Sequence, residues 1–431
     1  MFFDKKAETM PRGELEELQL RRLRENAAAC YEKSRLYRKK FDDAGITPDK
    51  ITSLSDLRHI PFTVKDDFRD NYPFDMFVAP MGKICRLHAS SGTTGKPTVV
   101  GYTKKDLDVW SDCVARLIVA VGAREEDIAQ VAFGYGLFTG ALGLHYALEK
   151  IGAAVIPMSS GNTEKQVMLM RDFGTTVLVS TPSYALHIGE VAGETGVSKD
   201  LKLRLGLFGS ESCTVEMREQ IEKSLDLFAT DNYGMSEVMG PGVSGECEFR
   251  CGLHFNEDHF IPEIIDPATG EILPEGKTGE LVITTLSKEA QPVLRYRTRD
   301  ITSLTYEKCE CGRTHARMEK TAGRTDDMLK IRGVNVFPTQ VESVIMAINE
   351  VAPYYVIIAE RENNRDTLEV KVELTDGSLL DSYARLEGLR DKIRHELRVT
   401  LGLDIKVSLV EPKSLERSLG KAKRVFDNRK K

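Results

Sequence analysis

A chain of 431 residues is too long for one hydrophobic core, so two or three domains are expected. Hydrophobic residues make up 41% and charged residues 29%, which excludes a disordered or fibrous chain. A formal net charge of −6 argues against a nucleic-acid partner held through phosphates, and no apolar run approaches the about 18 residues of a membrane span.

The start, Met1-Phe2-Phe3-Asp4-Lys5-Lys6, lacks the basic-then-apolar order of a signal peptide, so a cytoplasmic location is expected. There the eight cysteines are thiols or metal ligands and not disulfides. Residues 13–44 read as helical, because Leu15, Leu18, Leu20 and Leu23 recur at roughly helical spacing among charges. Ile60-Pro61-Phe62 breaks the pattern. Arg86-Leu87-His88 leads into a run of hydroxyls and glycines, Ser90-Ser91-Gly92-Thr93-Thr94-Gly95-Lys96, and Thr98 to Tyr102 reads as a strand leaving it. Glycines let consecutive N–H groups turn toward one anion, and hydroxyls and a lysine suit a polyphosphate. The spacing is not that of the P-loop: two residues separate Gly92 from Gly95, and Pro97 follows the lysine. Thr103 is placed to cap a helix beginning near Lys104.

From there, helices and short apolar strands alternate. Strands are expected at 129–133, 153–156, 176–180 and 203–208, with helices at 143–150 and 164–173. This is the pattern of a layered α/β domain with largely parallel strands, whose ligands sit at the carboxyl ends. Gly209-Ser210-Glu211 and Tyr233-Gly234 fall at such ends. After about residue 260 the strands 260–266, 279–284 and 293–297 are joined by turns, which predicts a barrel-like β unit at about 255–322. Strands at 354–359, 368–374 and 405–409 with a helix at 382–401 make a final α+β domain. The division expected is a large N-terminal layered α/β domain, 1–322, and a small mobile C-terminal α+β domain, 323–431, with the boundary near Thr321 to Asp327.

Four further stretches carry chemistry. Asp231-Asn232-Tyr233-Gly234-Met235-Ser236-Glu237 offers a ring to stack on a base, a close-approach glycine, a hydroxyl and a carboxylate for Mg²⁺. Tyr296-Arg297-Thr298-Arg299-Asp300 presents a carboxylate for ribose hydroxyls. Gly323-Arg324-Thr325-Asp326-Asp327 is a polar turn at the domain boundary, and Ser418-Leu419-Gly420-Lys421 sets a lysine on a glycine hinge. Singly, each also reads as a turn, a salt-bridged strand end, a loop or a basic tail.

In this order the motifs resemble the adenylate-forming superfamily of acyl-CoA synthetases, adenylation domains and luciferases. Gly134-Tyr135-Gly136-Leu137-Phe138-Thr139-Gly140, Glu257-Asp258-His259-Phe260 and Arg332-Gly333-Val334-Asn335-Val336-Phe337-Pro338 resemble the phenylacetate–CoA ligase family within it. The resemblance implies that an aryl-acetic acid, phenylacetate first, attacks the α-phosphate of ATP and that the thiol of coenzyme A then displaces AMP. It implies roles for Ser90 to Lys96 on the β- and γ-phosphates, and for Gly209, Ser210, Glu211, Asn232, Tyr233 and Gly234 around adenine, with Met235 beside them. Ser236 would contact the α-phosphate, Glu237 would hold Mg²⁺, and Asp300 and Arg324 would hold the ribose. Lys421, with Lys423 as its rival, would stabilise charge on the α-phosphate. Asp326 or Asp327 would be the hinge on which the small domain rotates. Tyr135, Phe138, Gly140, Ala141 and Pro157, with Gly209, would line the acid pocket. Adenylyl transfer to a deazaflavin coenzyme, or CoA ligation of another aryl or alkyl acid, is the alternative. A homodimer, and no nucleic-acid or membrane partner, is expected.

Cys251-Gly252-Leu253-His254 and Cys309-Glu310-Cys311 form two tight pairs suited to a tetrahedral structural Zn²⁺. Cys247, which makes C-x3-C with Cys251, is the alternate to His254 as fourth ligand, and His315 a weaker one. The Gly-rich loop is expected to be among the less ordered segments without nucleotide.

Overall fold

The structure, a computed structural model, describes residues 1–90, 97–362 and 365–429. The expected helical region is two helices, Arg12–Lys33 and Arg35–Asp43. Ser34 separates them: its backbone turns extended, and its side chain accepts from the N–H of Tyr37. Leu15, Gln19, Leu23, Ala27 and Cys30 recur on one face of the first helix and are its buried residues.

Among the described residues the largest sheet has nine strands. One end of it is parallel: Ala154–Ile156, at the edge, Ile128–Val131, Val177–Ser180, Leu205–Gly209 and Phe228–Met235 lie side by side in that order. Val177 and Val179 pack into one core cluster and Leu178 into another, so both faces of the sheet are covered. That two-sided burial is why these strands read as unbroken apolar runs. Helix Lys104–Ala120 packs on helix Gly140–Lys150, and helices Thr163–Phe173, Pro182–Glu194 and Val215–Leu225 pack on one another in sequence. Thr103 caps the first of these in a full capping box with Asp106.

Beyond Phe228–Met235 the sheet turns antiparallel through Gly240–Gly245, Leu253–Phe255, Arg317–Met318 and Leu304–Thr305. The expected barrel-like unit is therefore divided. Phe260–Ile265, Gly279–Thr285, Tyr296–Thr302 and Gly323–Arg324 form a separate four-stranded antiparallel sheet, while the remaining short strands of 253–318 extend the large one. Strands of two or three residues carry no readable period, so the sequence pattern could not apportion them. Arg324 pairs with Asp300 across that smaller sheet, two residues past the expected boundary at 322.

The C-terminal region is a four-stranded sheet in the order Lys406–Val410, Arg365–Leu374, Val351–Glu362, Val425–Asp427, with helices Pro338–Met346 and Tyr383–Leu401. The last strand has three residues and was not anticipated. Residues 411–424 are thus an arm whose two ends are held on opposite edges of one small sheet. No described helix is long and apolar enough to cross a membrane.

Candidate active site

Strand Ile128–Val131 pairs on one side with Ala154–Ile156 and on the other with Val177–Ser180. The chain therefore leaves the carboxyl ends of Ile128–Val131 and Val177–Ser180 in opposite directions, and a crevice opens between them. Most of the expected site falls along this edge: the Phe133–Thr139 loop, Gly209-Ser210-Glu211 and Tyr233 to Glu237. In the first of these, Leu137 and Phe138 are 65% and 48% exposed, unusual for large apolar side chains beside polar loops. Tyr135 is half-buried, and its hydroxyl lies 2.9 Å from Nδ1 of His145, whose Nε2 is 3.1 Å from Glu149. Gly140 opens its helix under the Phe133 ring, which would sit 2.8 Å from any added Cβ. Ala141 departs from expectation: it points inward from that helix, is fully buried in the core and offers no surface to an acid. Pro157 is exposed.

The nucleotide set is tied together by backbone approach and charge. A Cβ on residue 234 would stand 1.9 Å from the carbonyl oxygen of Gly240, so only glycine fits there. The Tyr233 hydroxyl donates to Asp300 at 2.6 Å, and Arg324 donates to the other oxygen of Asp300 at 3.1 Å. Burial raises the Asp300 carboxyl above its usual range, against the pull of Arg324. Arg324 also donates to Asp326 at 2.9 Å. The hydroxyls of Ser236 and Thr139 meet at 3.1 Å, which joins the Tyr233 segment to the Tyr135 loop. Glu237 is buried, and Met235 is half-buried at the strand end. The Asn232 amide donates to the carbonyl of Phe208 at 2.6 Å and so braces the neighbouring strand. Ser210 is exposed with φ of 75°, a left-handed backbone that a non-glycine residue adopts at some strain. The Ser90 hydroxyl accepts from the N–H of Thr98 at 3.0 Å and closes the neck of the Gly-rich loop. Ser91, Gly92, Thr93, Thr94, Gly95 and Lys96, and with them the expectation about that loop's order, lie outside the described residues.

Two buried groups here carry no motif. His88 Nδ1 donates to the Leu137 carbonyl at 2.9 Å, while its Nε2 is buried without a partner among the described residues. Lys288 is buried with its ammonium 4.9 Å from the centre of the Tyr102 ring and no hydrogen bond among the described residues. Burial lowers Lys288 to about 8, opposed by Asp106 and Glu237. Each stands among mixed polar and apolar neighbours, as in Ser287-Lys288-Glu289, so nothing in the sequence marks it as buried.

The arm brings Lys421 to this edge. The Thr181 hydroxyl donates to the carbonyl of Gly420 at 3.1 Å, and the N–H of Ala422 donates to Glu211 at 3.1 Å. Arg417 of the arm pairs with Glu190 at 2.9 Å and with Glu373 at 2.6 Å. Lys421 itself is exposed. Lys423 lies 4.9 Å from the centre of the Phe426 ring, on the small domain.

At the antiparallel end of the sheet, donor atoms of Cys247, His254, Cys309 and Cys311 all lie within 4.8 Å of one another. Cys247 thus takes the place first given to Cys251. The cause is the chain's turn: Arg250, with φ of 52°, carries Cys251 outward, where it is exposed and 3.3 Å from Cys309. His315 turns away and bonds the Phe255 carbonyl at 2.9 Å. Tetrahedral Zn²⁺ with sulfur ligands sets sulfurs about 3.8 Å apart. Cys247 and Cys309 stand at 3.7 Å, and Cys311 is 3.4 Å from His254 Nε2. Hydrogen bonds from Cys247 and His254 pull Cys311 down to about 2, the direction expected of a thiolate ligand.

Residues 43–287 match the family described as AMP-binding enzyme, and residues 333–429 match the AMP-binding enzyme C-terminal domain. A phenylacetate-coenzyme A ligase of Thermus thermophilus is 49% identical, with 100% of both chains covered. One of Escherichia coli is also 49% identical, over 98% of this chain and 97% of that one. Among solved structures, a 2-hydroxyisobutyryl-CoA ligase in the postadenylation state with 2-HIB-AMP has a TM-score of 0.94 at 29% identity, covering 100% of this chain and 93% of that one. The same ligase with 2-HIB-AMP and CoA in the thioesterification state falls to 0.74, at 30% identity and the same coverage. The two domains here are arranged as in the former.

The two matched domain families, with full-length relatives that are CoA ligases, make this an adenylate-forming enzyme. By full-length similarity, the chain belongs to the phenylacetate–CoA ligase family of that superfamily. It is an AMP-forming acid–thiol ligase, which activates a carboxylic acid with ATP and passes the acyl group to coenzyme A.

Proposed function

We propose that the acid is an aryl-acetic acid, phenylacetate first. The observation that carries this reading is the Tyr135–Phe138 loop, which leaves the Phe138 ring exposed and the Tyr135 ring half-buried at the carboxyl end of Ile128–Val131, next to Thr139, which meets Ser236. Rings present large apolar area at low entropic cost and stack on an aryl group. The names borne by the relatives point the same way.

In this reading Tyr233, Asn232, Gly234, Met235, Gly209, Ser210 and the backbone of Glu211 frame adenine. Asp300 and Arg324, already joined, take the ribose hydroxyls. Ser90 with residues 91–96 takes the outer phosphates, Ser236 the α-phosphate, and Lys421 the charge that grows there as the acid attacks. Glu237, buried beside these groups, would hold Mg²⁺, which would neutralise phosphate charge. Cys247, His254, Cys309 and Cys311 would hold Zn²⁺ as a structural staple, remote from the chemistry. Asp326 or Asp327, exposed next to Arg324, serves as the hinge. The protein acts in the cytoplasm, and a homodimer is its assembly.

Pyrophosphate release with phenylacetate and ATP, followed by thioester formation on adding CoA, tests the substrate. Release that ignores phenylacetate across a panel of aryl-acetic acids sinks this reading. Elemental analysis of protein purified without added metal tests the staple, and less than about half an equivalent of zinc removes it.

A further inference from the structure

The peptide units on both sides of Lys421 are fixed by the large domain. On one side the Thr181 hydroxyl donates to Gly420 O at 3.1 Å; on the other, Ala422 N donates to Glu211 Oε2 at 3.1 Å. Both anchors are themselves locked. Thr181 caps helix Pro182–Glu194 by accepting from Tyr184 N at 3.2 Å, and Glu211 Oε1 accepts from Ser183 N, in the same first turn, at 2.7 Å. Leu419 seats against Gly161, where an added Cβ would lie 3.6 Å from its side chain. The Lys421 side chain, between these clamps, is exposed and has no hydrogen bond or ion pair among the described residues. A long flexible stem with a fixed base spends its freedom only where a charge meets it, and small misplacements of a charge-stabilising group are costly.

We infer that Thr181 and Glu211 are positioning residues that dock the Lys421 loop for adenylation and play no part in thioester formation. The inference rests on the reading of Lys421 as the charge that serves the first half-reaction. It also gives the Glu211 carboxylate a task other than binding nucleotide, since both of its oxygens are occupied by backbone N–H groups. Both anchors stand on the large domain and Lys421 on the small one, so the two bonds exist only while the domains hold the arrangement described above.

The test separates the half-reactions in Thr181→Val, Thr181→Ser, Glu211→Gln and Lys421→Ala. Val removes the hydroxyl and Ser keeps it; Gln has one acceptor oxygen for the two N–H groups of Ser183 and Ala422, so one of them meets an NH2 and the clamp is broken on one side. Pyrophosphate release from acid and ATP is expected to slow about tenfold or more in Thr181→Val and Glu211→Gln. The fall is expected in kcat, with the KM for ATP within about twofold. Thr181→Ser recovers most of the rate. Thioester formation from preformed acyl-adenylate and CoA keeps its rate in all three. Adding Thr181→Val to Lys421→Ala is expected to cost nothing more, because residues acting through one group are not additive. Equal loss in both half-reactions, a raised KM for ATP, or additivity with Lys421→Ala overturns the docking. If Lys421→Ala alone leaves adenylation intact, it is the reading of Lys421 that has failed, and the docking falls with it. Unfolding midpoints of all variants identify any that lose rate by losing structure.

Discussion

At the parallel end of the large sheet, Leu137 and Phe138 stand exposed, His88 and Lys288 keep buried polar atoms without partners among the described residues, and Lys421 reaches in from another domain. At the antiparallel end, buried charges stand in ion pairs, although Glu8 Oε2, Arg116 Nε and Arg313 Nη1 accept or donate no hydrogen bond among the described residues. Arg116 and Asp258 pair at 2.9 Å, Arg12 and Glu257 at 2.6 Å, and Arg313 and Glu8 at 2.6 Å, each with at least one partner almost wholly buried. The cysteine–histidine cluster sits among them. Both ends belong to one sheet, yet one holds its buried charges in ion pairs and the other leaves the Lys288 ammonium without one among the described residues. The contrast locates stability and chemistry in different places, and it can be broken by substitutions that cross it.

The largest effect is expected from Asp258→Asn, which leaves Arg116 buried beside a neutral group. Breaking such a pair costs about 3–5 kcal/mol, read from the denaturant midpoint, with the activity of the remaining folded enzyme retained. Burial works against the Asp258 charge, but His259 and Arg116 overcome it and hold its carboxyl well below the usual range. A depressed folded value means that the stabilisation is present above the unfolded carboxylate value of about 4 and is lost as pH falls below it. Wild type should therefore lose more stability than Asp258→Asn between about pH 4 and pH 2. Equal acid sensitivity would remove Asp258 from the paired set.

Next comes Lys421→Ala, expected to slow adenylation by about 10²–10³-fold, as for loss of one preorganised charge-stabilising group. ATP affinity and unfolding midpoint should stay put. A fall in all three would make the open end as structural as the closed one. Cys309→Ser, smaller in effect, is expected to drop bound zinc below about half an equivalent and lower Tm by at least about 4 °C. Its kcat at moderate temperature should match wild type; a large loss of kcat would place the metal in the chemistry. The smallest effect is Tyr135→Phe, which removes the bond to His145. About 0.5–1.5 kcal/mol is at stake, seen as a KM for the acid raised up to about tenfold, with no change in the KM for ATP.

The sequence exposed the open end more fully than the closed one, for a physical reason. The grips on phosphate and ribose proposed above lie in short contiguous runs, such as Tyr233 to Glu237 and Gly420-Lys421, so their chemistry is local in the chain. Parallel strands buried on both faces announce themselves as apolar runs with helices between. What could not be read depends on distant pairing. Thr181 meets Gly420 across 239 positions, and neither residue is marked by its neighbours. Spacing to His254 favours Cys251, yet Cys247 joins the cluster while Cys251 beyond the turn at Arg250 is exposed, a choice no spacing reveals. Strands of two or three residues, Leu304–Thr305, Arg317–Met318 and Val425–Asp427, are shorter than any period. Ala141 lies one residue into a helix, where a small shift in register separates pocket from core.

The strand Val425–Asp427 has a consequence for timing. Because it returns the chain to the sheet that Lys406–Val410 left, the arm bearing Lys421 is a closed handle and not a free tail. A tail could sample the crevice by its own diffusion, in or out, at any moment of the cycle. A handle goes where its body goes. If the small domain rotates as proposed, withdrawal of the lysine and that rotation are a single event. On the proposed roles of Lys421 and the small domain, the cation of the first reaction and the opening for the second acceptor would then alternate, because one rigid connection carries both.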